Sequence, residues 1–266
     1  MRIQCIALLI SMPLAAQWLH VPTKGVPRNA DGSPKLAAPA PRTANGKPDF
    51  SGMWVARDEL PCDRNERGVQ CTELKLTPQV INIANGLKDG LPYQPWAADL
   101  VKKRRPELGI NDPHTNCMPP NYPRAWAFPE FQKILQTPDM LVVLHEFNAS
   151  YRQIFTDGRA LPKDPNPTWN GYSVGHWDGD TLVVDSTGFN EKTEVSGYHH
   201  TEALHVIERF RRAEFGNLQY QVTIEDPNVF TGPWTENRTF ALRPELEKID
   251  EFVCENNRDY SKLFKK

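Results

Sequence analysis

Residues 152–190, RQIFTDGRALPKDPNPTWNGYSVGHWDGDTLVVDSTGFN, decide the fold. A β-rich piece at 151–156 is stopped by the turn pair Asp157-Gly158. A polar, proline-rich loop follows. Two further β-rich pieces, 172–177 and 181–186, then stand either side of Asp178-Gly179-Asp180. Asp-Gly between alternating apolar segments is a hairpin signal, because glycine takes the positive φ that a tight turn of the right twist needs. The stretch therefore predicts an antiparallel sheet with aromatic and polar residues gathered near strand ends.

Outward from it the same pattern recurs. Residues 132–136, 140–147, 203–212, 218–225, 234–242 and 248–254 read as strands, with turns at Glu214-Phe215-Gly216-Asn217 and Arg243-Pro244-Glu245. With a first strand around Trp54 this makes about ten antiparallel strands joined mostly by short links. Such a meander closes into an up-and-down β-barrel, which removes exposed edges. A two-sheet β-sandwich is the alternative. One short helical insertion is expected at 77–105. Thr77-Pro78 opens QVINIANGL, and Pro95 opens WAADLVKKRR, whose basic end suits the last turn of a helix. From Asp112 to Glu130 the prolines forbid regular structure, in a loop that carries His114, Arg124 and Trp126.

The first residues, MRIQCIALLISMPLAAQ, read as a signal peptide over 1–16, with an apolar run too short for a permanent membrane span. The expected location is secreted or periplasmic. Removing Cys5 leaves an even set, Cys62, Cys71, Cys117 and Cys254, which suits disulfides; four cysteines allow three pairings. Residues 17–49 read as a proline-rich arm holding a near-duplication, PRNADGSPKL at 27–36 and PRTANGKPDF at 41–50. The single barrel domain spans 50–257, and 258–266 is a tail. A net charge of −2 over 266 residues, with Lys and Arg scattered among Asp and Glu, argues against the basic stripe that nucleic acid needs.

The strings PDFSGMW, PYQPWA, CMPPNYPR, RQIFTDGR, GYSVGHWDGDTLVVDSTGFN, HHTEALHVIERFRR and FVCENN stand in order along the chain. Together they resemble an uncharacterised family of secreted bacterial β-rich proteins. The resemblance covers about residues 20–257. It implies export and a compact β-rich domain, and supplies no catalytic residues. Members carry a Tyr and a basic residue where this chain has Phe230 and Gly232. The Gly52-x-Trp54 opening resembles that of lipocalin-type barrels, where the tryptophan plugs one end.

Chemistry is sought first in Tyr198-His199-His200-Thr201-Glu202-Ala203-Leu204-His205. Residues two apart in a strand share a face, so His200 and Glu202 fit a general base and its orienting carboxylate. His205 joins them if the backbone turns. His199, His200, Glu202 and His205 are also candidate ligands for a divalent metal, although the spacing matches no zinc motif. Asp185, alternating with Val183 in an apolar strand, becomes a buried acid if that face is inward. Glu146 and Arg152 are symmetric about Ala149 and fit a cross-strand pair, or else Arg152 (or Arg124) clamps a substrate carboxylate. Trp169 and Tyr172 flank a polar turn and could stack a ring. Dinucleotide and P-loop motifs are absent, so no nucleotide cofactor is expected and a divalent metal is the one open option; no nucleophile elbow appears. Three readings stay open. The first is cofactor-free acid-base chemistry (lyase, isomerase or hydrolase) on a small polar or aromatic molecule. The others are a non-catalytic lipocalin-like small-molecule binder and a metal-dependent protein using the histidine cluster.

Overall fold

A computed structural model describes residues 25–56, 64–65, 68–69, 90–104, 113, 117–128, 130–192, 194–195 and 198–252. The leader, the first helical stretch near 77–86, His114, Cys62, Cys71, Cys254 and the tail at 258–266 lie outside the described residues.

The strands are β1 (Gly52–Ala56), β2 (Arg64–Asn65), β3 (Gly68–Val69), β4 (Gln132–Gln136), β5 (Met140–His145), β6 (Ser150–Phe155) and β7 (Tyr172–Asp178). After them come β8 (Thr181–Thr187), β9 (Glu194–Val195), β10 (Tyr198–His199), β11 (His205–Glu214), β12 (Asn217–Glu225) and β13 (Trp234–Leu242). Nine of them form a closed barrel in the order β1-β13-β12-β11-β8-β7-β6-β5-β4, with β4 pairing back to β1. β2–β3 and β9–β10 are separate two-stranded pieces. A helix, Pro95–Arg104, ends in Lys102, Lys103 and Arg104.

Two expectations need correction. The barrel is mixed, because β6 and β7 run parallel, pairing Ile154 with Ser173 and Phe155 with Val174. A parallel neighbour needs a connection of a dozen residues or more, and the proline loop between Phe155 and Tyr172 supplies it. That loop re-enters at Gly171 (φ 64°), where a Cβ would meet Thr187 O at 2.8 Å and the Phe189 ring at 2.9 Å. A tenth strand does not appear among the described residues: of 248–252, only Phe252 pairs, in a single bridge to Phe147. The Asp-Gly hairpin is as expected, with Asp178 opposite Thr181 and Gly179 at φ 60°.

Alternation sorts the side chains. On β11, Val206, Glu208, Phe210 and Arg212 are buried, while His205, Ile207 and Arg209 are only partly covered and face outward. On β8, Leu182, Val184 and Ser186 are fully buried. With Ile134, Val143, Ile154, Leu218, Tyr220, Val222 and Phe240 they fill the interior.

One end is sealed. Trp54 Nε1 donates to Phe50 O at 2.9 Å, and the Arg212 guanidinium lies 4.8 Å over the Trp54 ring. Burial pushes that guanidinium down to about 10, still charged at neutral pH. The arm completes the seal, with Phe215 N donating to Ala38 O at 2.6 Å and Gly216 N to Leu36 O at 2.8 Å. At the opposite end lie the β5–β6 hairpin and the long connections that leave β8 and β12.

Candidate functional site

Between these ends sits a buried polar centre assembled from five strands. Arg152 points inward from β6. Its Nη1 donates to Glu208 Oε1 at 3.0 Å, and its Nη2 to Glu208 Oε2. Nε and Nη2 also reach Ser173 Oγ at 3.2 and 3.1 Å, and Nη2 reaches Ser186 Oγ at 2.9 Å. The two serine hydroxyls are 2.8 Å apart. Glu208 Oε1 further accepts from Trp126 Nε1 and from Tyr220 Oη, each at 3.0 Å. Desolvation alone would push the guanidinium down, but the adjacent carboxylate outweighs it and the net shift is upward. A buried ion pair is tolerable only when its remaining donors and lone pairs are satisfied in this way.

The segment after β3 and the helix supplies the lid of this centre. Residues Arg124–Ala127 make a 3-10 turn and are all buried. Trp126 enters the barrel, its ring 5.4 Å from Phe210, 5.6 Å from Tyr220 and 5.1 Å from Phe240. Tyr122 covers Arg152, whose Cζ lies 5.0 Å over the ring. Burial drives the Tyr122 and Tyr220 hydroxyls upward, so both stay neutral. His145 accepts at Nδ1 from Phe147 N (3.1 Å), which leaves Nε2–H to donate to Ala125 O at 3.0 Å.

The residues proposed for chemistry are dispersed. His200 is fully buried, with Nδ1 3.0 Å from Thr201 O and Nε2 3.5 Å from Asn121 Nδ2. Burial holds its imidazole below the usual range, and so neutral at pH 7. Glu202 is exposed on the following turn, so it does not orient His200. The nearby buried carboxylate is Asp226, which accepts from Thr201 N at 2.6 Å and from Asn228 N at 3.1 Å. His205 and Asp185 lie on the outer wall, where His205 sits between Glu225 Oε2 at 3.0 Å and Asp185 Oδ1 at 3.3 Å. Asp185 therefore faces outward, because the inward face of β8 belongs to Leu182, Val184 and Ser186.

Glu146 does not meet Arg152. The register sets Arg152 opposite Val143, and Glu146 Oε2 accepts from Phe131 N at 2.9 Å. Arg124 is buried, its Cζ 5.6 Å over Phe128. Tyr172 stacks on Phe155 at 5.4 Å, while Trp169 is half-buried. His199 meets the Trp96 ring edge-on at 5.7 Å. Among the described residues, no three of His, Cys, Asp or Glu are grouped to hold a metal ion. Cys117 is disulfide-bonded.

Sequence reading missed Glu208 as a partner for Arg152, and with it Ser173, Ser186, Tyr122 and Tyr220. The signal was a charge at every other position of one face, Val206-x-Glu208-x-Phe210-x-Arg212.

A carboxyl at the rim gives a pH prediction. Burial, reinforced by the Glu146 charge, pushes Glu130 up to about 7, and Glu146 moves the same way because of its own burial. A raised folded-state value means stability is complete below the ordinary value near 4.5 and is lost as pH rises through about 7. We expect Tm to fall by roughly 2–8 °C between pH 5 and pH 8, at about 2–4 °C per kcal/mol. Glu130→Gln should flatten that slope. A flat wild-type profile, or an unchanged slope in the variant, contradicts the assignment.

No family model, curated protein or solved structure matches the chain.

Proposed function

We propose that the chain is a small-molecule-binding barrel, lipocalin-like in its use of the interior end, and not a catalyst built on His200 and Glu202. The observation that carries this is the Tyr122 hydroxyl, which is 1% exposed and has no hydrogen-bond partner. A buried polar atom left unsatisfied costs about 1–3 kcal/mol, and a ligand oxygen or nitrogen recovers it. Gln132 Oε1 and Trp234 Nε1 are buried without partners on strands that begin at the same end. Asn121 precedes Tyr122 in the chain, and its Nδ2 lies 3.5 Å from Nε2 of neutral His200, whose ring is 6.2 Å from Phe189. Polar atoms set among aromatic rings suit a small uncharged molecule with an aromatic or apolar body and one or two hydrogen-bonding groups. Arg152 is spent on Glu208 and the two serines, so an anion clamp at that position has little support.

Export and disulfides belong to the same reading, since disulfides form and persist in oxidising compartments outside the cytoplasm. Among the described residues no helix is long and apolar enough to cross a membrane.

A thermal-shift screen of phenols, aromatic amides and small heterocycles tests the site. Hits should raise Tm, and Tyr122→Phe should weaken them about 5–10-fold, the worth of one hydrogen bond of about 1–1.5 kcal/mol. Equal affinity in wild type and variant would remove Tyr122 from the site.

A further inference from the structure

The arm holds two copies of one loop, and the barrel end accounts for only the second. In the second copy, Thr43 N donates to Lys47 O (2.9 Å), Gly46 N to Thr43 O (2.9 Å), and Asp49 N to Pro41 O (2.8 Å). In the first, Asn29 N donates to Ser33 O (2.8 Å), Gly32 N to Asn29 O (3.0 Å), and Lys35 N to Pro27 O (2.7 Å). Each is closed by an isolated bridge, Arg28 to Pro34 and Arg42 to Pro48. In each, the arginine Nη1 donates to the glycine carbonyl four residues on, at 2.6 Å for Arg28 and 2.7 Å for Arg42. The loop thus fixes its arginine before any partner arrives, so little side-chain entropy remains to be lost on docking.

The second copy displays what the fixed arginine is for. Arg42 grips both carboxylate oxygens of Asp180, Nη1 to Oδ1 at 2.9 Å and Nη2 to Oδ2 at 2.7 Å, at the tip of the β7–β8 hairpin. Lys47 Nζ caps the adjacent Gly179 O at 3.2 Å, and Phe50 stacks on Trp177 at 5.4 Å. Among the described residues the first copy is anchored through its base, by Leu36 and Ala38 on the β11–β12 turn and by Val26 packed against the core. Its tip, with Arg28, Ala30, Asp31 and Gly32, is exposed. Asp31 is occupied by Ser33 N and Oγ at 2.9 and 2.5 Å, which keeps it off Arg28.

We propose that the first copy is a docking loop for an aspartate-bearing hairpin turn of a partner protein, gripped by Arg28 as Arg42 grips Asp180. Ser33 stands where the second copy has Lys47, so the contact lacks the lysine cap. It works as one contact within a larger interface, since an exposed pair is weak alone and gains through avidity.

The probe is a disulfide-cyclised peptide of the chain's own residues 175–183, titrated into the isotopically labelled full chain. Amide resonances of 28–33 should move progressively and without saturating up to millimolar peptide, since one exposed pair contributes about 0–1 kcal/mol. Arg28→Ala should abolish the movement, as should an Asp-to-Asn peptide at the Asp180 position, while Arg42→Ala preserves it. No movement at 28–33, equal movement in Arg28→Ala, or movement confined to 41–47 overturns the proposal.

Discussion

Arg152→Met lowers stability by about 3–5 kcal/mol, because it leaves Glu208 charged and buried without its partner. Glu208 is fully buried and Arg152 is 2% exposed, so water cannot take over for the lost group. The reciprocal Glu208→Met strands a guanidinium and costs a similar amount. The double variant recovers most of the loss, because replacing both charges by apolar groups removes the desolvation penalty along with the attraction. Urea denaturation of the four proteins closes the cycle and gives the coupling energy directly. Single variants within about 1 kcal/mol of wild type would mean that water reaches this centre. That outcome would also reopen Arg152 as a ligand contact.

Trp126→Ala is expected to cost about 3–5 kcal/mol, through a cavity among Phe210, Tyr220 and Phe240 and the loss of the indole donor to Glu208. The cavity is apolar on three sides, so an added ring can refill it, as engineered apolar cavities do. Millimolar indole should therefore raise the Tm of the variant and leave the wild type unmoved. A variant that loses less than about 1 kcal/mol would show that the 3-10 turn is a surface flap and not a plug.

Much of the barrel was legible from alternation and turns. β4 and β13 fall at the bounds that the sequence pattern predicts, and the Asp-Gly hairpin joins β7 to β8 as read. The parallel β6–β7 pair was written in the same stretch, since a long proline loop cannot be a tight hairpin, yet an antiparallel meander absorbed it. The site was less legible, because face assignment fails where both faces of a strand are apolar. In Leu182-Val183-Val184-Asp185-Ser186, either parity reads as a core face. Only closure of the barrel shows Val183, 6% exposed, on the outside beside Asp185. Glu146 and Arg152 are symmetric about Ala149, but the hairpin pairs His145 with Ser150, which shifts the centre and separates them. Asn148 and Ala149 take φ of 55° and 45° there, in the hairpin loop that the sequence reading centres on Ala149. The Arg152–Glu208 pair joins β6 to β11, and no local pattern carries a contact of that sequence separation.

Binding without turnover is the central claim, and the most direct measurement is recovery of the ligand. A compound that raises Tm should be incubated with excess protein for hours, released by denaturation and weighed by mass spectrometry. The account predicts that it returns unchanged, from wild type and His200→Ala alike. A product of different mass or connectivity, formed by wild type and lost in His200→Ala, would contradict it and make His200 a catalytic base.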